Sequence, residues 1–258
     1  MRVSRLIPAG VSRRVLVASV IAAATVTACI AQETPSRPAT GKAAAGIDLT
    51  GYWISVIVDD LRFHVTPQKG DLAYLPLNEE GKRVAMLWDP DKDIAQGNIC
   101  KAYGAIGLLQ QPGRLHISWS DDNTLRLDAD AGTQSRLLHF GPAPSSAGPA
   151  SLQGSSEAHW EGVRAGRGVR MQAKPDSLTV VTRNMLAGYL RKNGVPYSAK
   201  AILTEYFNIL GGPDGQTYLS VTMLVDDPTY LAAPHFSTNM FKKIPDASGW
   251  DPTRCWPK

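Results

Sequence analysis

The chain contains Leu115-His116-Ile117-Ser118-Trp119, then Asp121-Asp122-Asn123, then Thr124-Leu125-Arg126-Leu127-Asp128-Ala129-Asp130. Apolar and polar residues alternate on both sides of a cluster of turn formers, the pattern of two half-buried strands joined by a hairpin. Leu115, Ile117 and Trp119 fall on one face, opposite Leu125, Leu127 and Ala129. Arg126, Asp128 and Asp130 share the other, where a solvated outer surface accounts for the alternating charge.

Working outward, the same period of two recurs. Tyr52–Asp59 places Trp53, Ser55 and Ile57 on one side. Further strands are expected at Arg136–Phe140, Glu157–Trp160, Leu178–Asn184, Ala201–Asn208, Tyr218–Asp226 and Asn239–Lys243. Asp226-Asp227-Pro228 reads as a turn that ends a strand. One helix is expected at Asn78–Trp88, with Asn78 as its cap, Glu79 and Glu80 in its first turn and Pro90 beyond its end. Lys92–Gly97 adds a helical turn. Eight or nine strands with one short helical excursion describe an all-β fold, an antiparallel lipocalin-like barrel or a sandwich. Residues 47–258 form this single domain, and Gly141–Ser156 is a long loop within it.

Composition agrees with a folded chain. Of 258 residues, 43% are hydrophobic and 19% charged, which excludes global disorder. The formal charge of +4 invites a nucleic-acid reading until its position is examined. Arg2, Arg5, Arg13 and Arg14 precede the apolar run Val15–Ala28, and no acidic residue occurs before Glu33. A positive segment, a short apolar run and small residues make a secretory signal over residues 1–28. Its removal leaves a formally neutral chain, so nucleic acid is not an expected partner. Ser12-Arg13-Arg14-Val15-Leu16 resembles a twin-arginine export signal. Val26-Thr27-Ala28-Cys29 fits a lipobox that would lipidate Cys29; the alternative is cleavage after Ala31, which discards it. The expected location is periplasmic, or at the outer membrane through that lipid alone. Residues 29–46 read as a flexible tether. The remaining cysteines, Cys100 and Cys255, are expected to pair in an oxidising compartment; a free catalytic thiol is the rival reading.

Two resemblances add to this. Gly51-Tyr52-Trp53 resembles the Gly-x-Trp element that opens the first strand of lipocalins, which implies a barrel holding an apolar ligand. Trp160-Glu161-Gly162, Thr204-Glu205-Tyr206-Phe207 and Asp227-Pro228 follow in an order that resembles a group of mostly uncharacterised secreted bacterial β-proteins. That resemblance implies export and a β fold, and names no reaction. Tyr206 stands where that group usually has arginine, and Val163–Ser177 lengthens the preceding hairpin.

For function, alternation sets Leu203, Glu205 and Phe207 on one face and Ile202, Thr204 and Tyr206 on the other. An inward Glu205 in an apolar barrel is either a proton-transfer group raised by desolvation or a carboxylate satisfied by an arginine or a tyrosine hydroxyl. The expected activity is binding of a small apolar or aromatic molecule. Trp53, Trp160, Tyr189, Tyr197 and Tyr206 would supply aromatic walls, with Arg62, Arg136 and Glu205 orienting the ligand. An enzyme of the same fold is the alternative: an isomerase, lyase or hydrolase with Glu205 as acid or base and Tyr206 or His64 assisting. A structural envelope protein is the third reading. The five histidines show no helical metal spacing, and no phosphate loop, dinucleotide fingerprint or nucleophile elbow occurs, so neither metal nor cofactor is expected.

Overall fold

The hairpin pairs in the register that its alternation dictates: Leu115 faces Ala129, Ile117 faces Leu127 and Trp119 faces Leu125. The computed structural model describes residues 39–57, 67–141, 148–162 and 175–257. Among them are strands β1 (Gly51–Val56), β2 (Arg114–Asp121), β3 (Thr124–Ala129), β4 (Gln134–Phe140), β5 (Ser155–Glu161) and β6 (Ser177–Arg183). They are followed by β7 (Gly188–Arg191), β8 (Val195–Tyr197), β9 (Ile202–Gly211), β10 (Thr217–Asp226) and β11 (His235–Ile244). Nine of these close into a barrel in the order β1-β11-β10-β9-β6-β5-β4-β3-β2, while β7 and β8 form a separate hairpin.

Nine strands cannot alternate in direction all the way round a ring, so one neighbouring pair must run parallel. That pair is β4–β5, and its ladder has three residue pairs, Leu138–Ser156, His139–Glu157 and Phe140–Ala158. A parallel connection has to return along the barrel and needs a dozen or more residues. The segment between Phe140 and Ser155, of which residues 141 and 148–154 are described, is long enough for it. The other ring neighbours pair antiparallel.

The helical excursion lies between β1 and β2. Helix α1 (Glu79–Met86) begins where expected, with the Asn78 side chain accepting from Gly81 N at 2.8 Å. Helix α2 (Pro90–Ala95) is capped by Asp89, and α3 (Ala105–Leu108) is buried along its whole length. Ile106, Leu108 and Leu109 belong to one apolar cluster with barrel residues such as Leu127, Leu138 and Val180. This end of the barrel is therefore plugged by chain rather than open. The β7–β8 hairpin lies against α1 and α3 at the same end.

The opposite end is covered as well. Trp119, Phe140 and Trp160 line up there with successive ring centroids 5.3 Å apart. Residues 39–46 lie in the stretch read as tether, yet they dock on the barrel. Gly41 N donates to Asn123 Oδ1 at 2.8 Å, Lys42 N to Asp122 O at 2.9 Å, and Trp160 Nε1 to Gly41 O at 2.7 Å. Beside them the Lys243 ammonium sits 4.5 Å over the Trp53 ring and donates to Thr50 O.

Cys100 and Cys255 form a disulfide, with their Cα atoms 5.1 Å apart. It ties the C-terminal segment to the excursion. Thr253 N also bonds Asp130 O at 2.9 Å, and the Thr133 hydroxyl donates to Thr253 O at 2.8 Å. A cross-link closing a loop of 155 residues constrains the unfolded chain by roughly 4–5 kcal/mol. Replacing both cysteines by serine is expected to lower the unfolding free energy by about 2–5 kcal/mol in a urea titration, with the barrel's far-ultraviolet signature retained. Free thiols at Cys100 or Cys255 in the unreduced protein would contradict the bridge.

Candidate functional site

Residues 203, 205 and 207 of β9 point inward and are fully buried, as their alternation requires. Arg136 points inward from β4 and reaches Glu205 across two intervening strands. Its Nη1 donates to Glu205 Oε1 at 2.8 Å and its Nη2 to Oε2 at 2.5 Å, a two-pronged pairing with both side chains wholly out of solvent. Nη2 also donates to Thr182 Oγ1 at 3.2 Å, and Thr182 shares a 2.8 Å hydrogen bond with Ser156 Oγ. One polar side chain thus comes from each of four adjacent strands, β4, β5, β6 and β9, and the group straddles the parallel seam.

Of the two readings of Glu205, its satisfaction by an arginine is the one observed. Each carboxylate oxygen accepts one guanidinium N–H bond, so neither stands without a partner. Tyr206 cannot assist, because it leaves β9 on the outer face, in the row Thr179–Tyr206–Thr222–Thr238. His64 and Arg62, like the processing site at Cys29, lie outside the described residues.

The expected aromatic walls do not converge either. Trp53 is buried in the interior, with its indole N–H on Leu49 O at 3.0 Å. Trp160 belongs to the aromatic end. Tyr189 is at the helical end, where its hydroxyl donates to Asp93 at 2.7 Å; burial and that carboxylate push its phenol above the ordinary range. Tyr197 is also at the helical end, and burial raises its phenol against the opposing pull of Arg136. A Cβ placed on Gly104 or Gly188 would come within 2.4 or 2.5 Å of the Tyr197 hydroxyl, so this end of the buried ring is packed closely against backbone.

What the sequence reading missed lies outside the barrel. Register places Tyr52 beside His116, His116 beside Asp128, and Asp128 beside Ser135, one outward row across β1, β2, β3 and β4. The row is aromatic over β1–β2 and polar over β3–β4. Tyr52 and His116 stack with centroids 4.3 Å apart, and Trp250 from the C-terminal segment stands edge-on to both, at 6.1 and 6.5 Å. Arg126 Nε holds Asp128 at 2.8 and 2.9 Å, Arg126 Nη2 donates to Ser135 Oγ at 3.1 Å, and Ser135 also donates to Asp128. Burial opposes ionisation of Asp128, but the Arg126 and Ser135 donors outweigh it and hold the carboxyl below its ordinary value.

These residues line an open groove of about 330 Å³ that also takes in Thr133, Gln134, Ala247 and Pro252. Thr133 has φ +50°, in the left-handed region that a β-branched residue rarely adopts. The bond from its hydroxyl to Thr253 O helps to hold it there, and it couples the groove floor to the C-terminal strap. Asp130 was expected on the exposed face with Arg126 and Asp128. It is instead buried, and its side chain accepts from Arg114 N at 2.7 Å to shape the same turn. Half of the row was legible: the β2–β3 alternation puts His116 opposite Asp128. Tyr52 and Trp250 arrive from distant parts of the chain, which no local pattern reveals.

No family model, curated protein or solved structure matches this chain.

Breaking a buried ion pair from one side leaves an uncompensated charge, at a cost of about 3–5 kcal/mol. Glu205→Gln is expected to lose stability on that scale in denaturant titration. The double replacement Arg136→Met with Glu205→Leu is expected to regain most of it. A Glu205→Gln protein as stable as the wild type would remove the pair from its structural role.

Proposed function

We propose that this is an exported small-molecule-binding barrel whose ligand sits in the outer groove rather than in the lumen. The observation that carries the reading is the corner formed by Tyr52, His116 and Trp250 beside the fixed Arg126–Asp128–Ser135 group. Three convergent rings and a few oriented polar groups are the usual makings of a ligand site. The interior argues against holding the ligand: Arg136, Glu205, Thr182 and Ser156 bond one another there, and chain segments pack at both ends. The strap bearing Trp250 is held by the disulfide and by Thr253, so the groove is organised before a ligand arrives and less ordering entropy is lost on binding. A disulfide together with an arginine-flanked apolar N-terminal run supports export.

Protein purified from its native source is expected to carry a ring-bearing small molecule detectable by native mass spectrometry. Trp250→Ala should lose that molecule while melting at the temperature of ligand-stripped wild type. Equal retention by Trp250→Ala would place the ligand elsewhere and overturn the reading. For export, intact-mass analysis is expected to give a mature chain starting at Cys29 or at Gln32; a chain that keeps Arg2 through Arg14 would contradict it.

A further inference from the structure

We propose that the ligand class of the groove is a neutral carbohydrate, one or two pyranose rings stacked in the Tyr52–His116–Trp250 corner with their hydroxyls on Arg126, Asp128 and Ser135. The inference rests on reading the groove as a binding site and names its ligand chemistry. A fused aromatic or aliphatic molecule filling this groove would match only its Tyr52–His116 half. Over the other half it would cover Asp128, Arg126 and Ser135 without offering them partners, and desolvating such groups unpaired is costly.

A sugar ring has both chemistries. Its axial C–H bonds form an apolar face that lies against aromatic rings. Its rim carries hydroxyls, each able to donate to a carboxylate and accept from a guanidinium. The aromatic-to-polar order of Tyr52, His116, Asp128 and Ser135 along a single transverse row matches that division.

Charge narrows the class further. Among the lining residues the Arg126 cation is offset by the Asp128 anion that it grips, so the site has little net field for a charged ligand. The mutual grip also aims both groups: Arg126 Nε is committed to Asp128, and the remaining guanidinium protons and carboxylate lone pairs have fixed directions. A volume of about 330 Å³ lies at the small end of ligand pockets, which fits one or two rings better than a lipid tail. The groove is open rather than enclosed, so a terminal sugar of a longer glycan can enter it.

The test uses the mature, disulfide-intact protein. Saturation-transfer NMR and titration calorimetry are run against the methyl glycosides of glucose, galactose, mannose and N-acetylglucosamine, and against β-linked disaccharides. Indole and benzoate serve as rings without hydroxyls. At least one sugar is expected to give saturation transfer and a titratable heat. Trp250→Ala and Asp128→Asn are each expected to weaken it at least tenfold, while Leu210→Ala, an exposed change on β9, leaves it unaltered. Binding of indole or benzoate with no sugar would overturn the carbohydrate assignment and leave the groove as a binding site. No binding by any of these probes would overturn both readings. Sugar binding that is equal in wild type, Trp250→Ala and Asp128→Asn would overturn the assignment of the sugar to this groove.

Discussion

The Arg136–Glu205 pair is the interaction on which the barrel's architecture depends. A ring of nine strands must contain a parallel seam, and the β4–β5 ladder at that seam is short. Arg136 reaches from β4, on one side of the seam, to Glu205 on β9, while Ser156 and Thr182 contribute from β5 and β6 between them. The pair therefore cross-braces the strands whose own pairing is weakest. Desolvating two charges is expensive, and their two-pronged geometry with an added hydroxyl offsets that cost. Such a brace also fixes register, since sliding β9 by one residue would turn Glu205 out of the barrel.

A chemical consequence follows from the same geometry. An acid held by two guanidinium donors has a partner on each oxygen, and the interior that holds it is packed at one end by α3 and at the other by the Trp119–Phe140–Trp160 rings and residues 39–46. The outer wall is built differently. There the register of β1 through β4 sets aromatic and polar side chains side by side, and the disulfide-tied C-terminal strap adds Trp250. The inner and outer faces of the same four strands thus differ in chemistry: Trp53, Leu115, Leu127 and Arg136 face inward, one step from the outward row of Tyr52, His116, Asp128 and Ser135.

Local alternation carries most of the fold. Leu115-His116-Ile117-Ser118-Trp119 and its partner strand specify faces, register and turn with no help from the rest of the chain. Glu205 facing inward was legible in the period of β9; that an arginine rather than a tyrosine hydroxyl satisfies it, and that the arginine is Arg136, was not, because that residue lies 69 positions away. The β7–β8 hairpin escaped notice although Asn193-Gly194 marks its turn. Its strands have four and three residues, and Pro196 interrupts the second, so neither sustains a countable period. The parallel seam was equally hidden, since strand direction is a property of the closed ring and not of any one segment. The groove depends on Tyr52 and Trp250 meeting His116, and only tertiary closure brings them there.

The most direct measurement is backbone and indole chemical-shift mapping of the isotopically labelled mature protein during titration with the molecule recovered from its native source. Shifts concentrated at Tyr52, His116, Asp128, Ser135 and the Trp250 indole, with Arg136, Thr182 and Glu205 unmoved, are the expected result. Shifts centred on Arg136, Thr182 and Glu205, with the Trp250 indole silent, would contradict it and return recognition to the barrel interior.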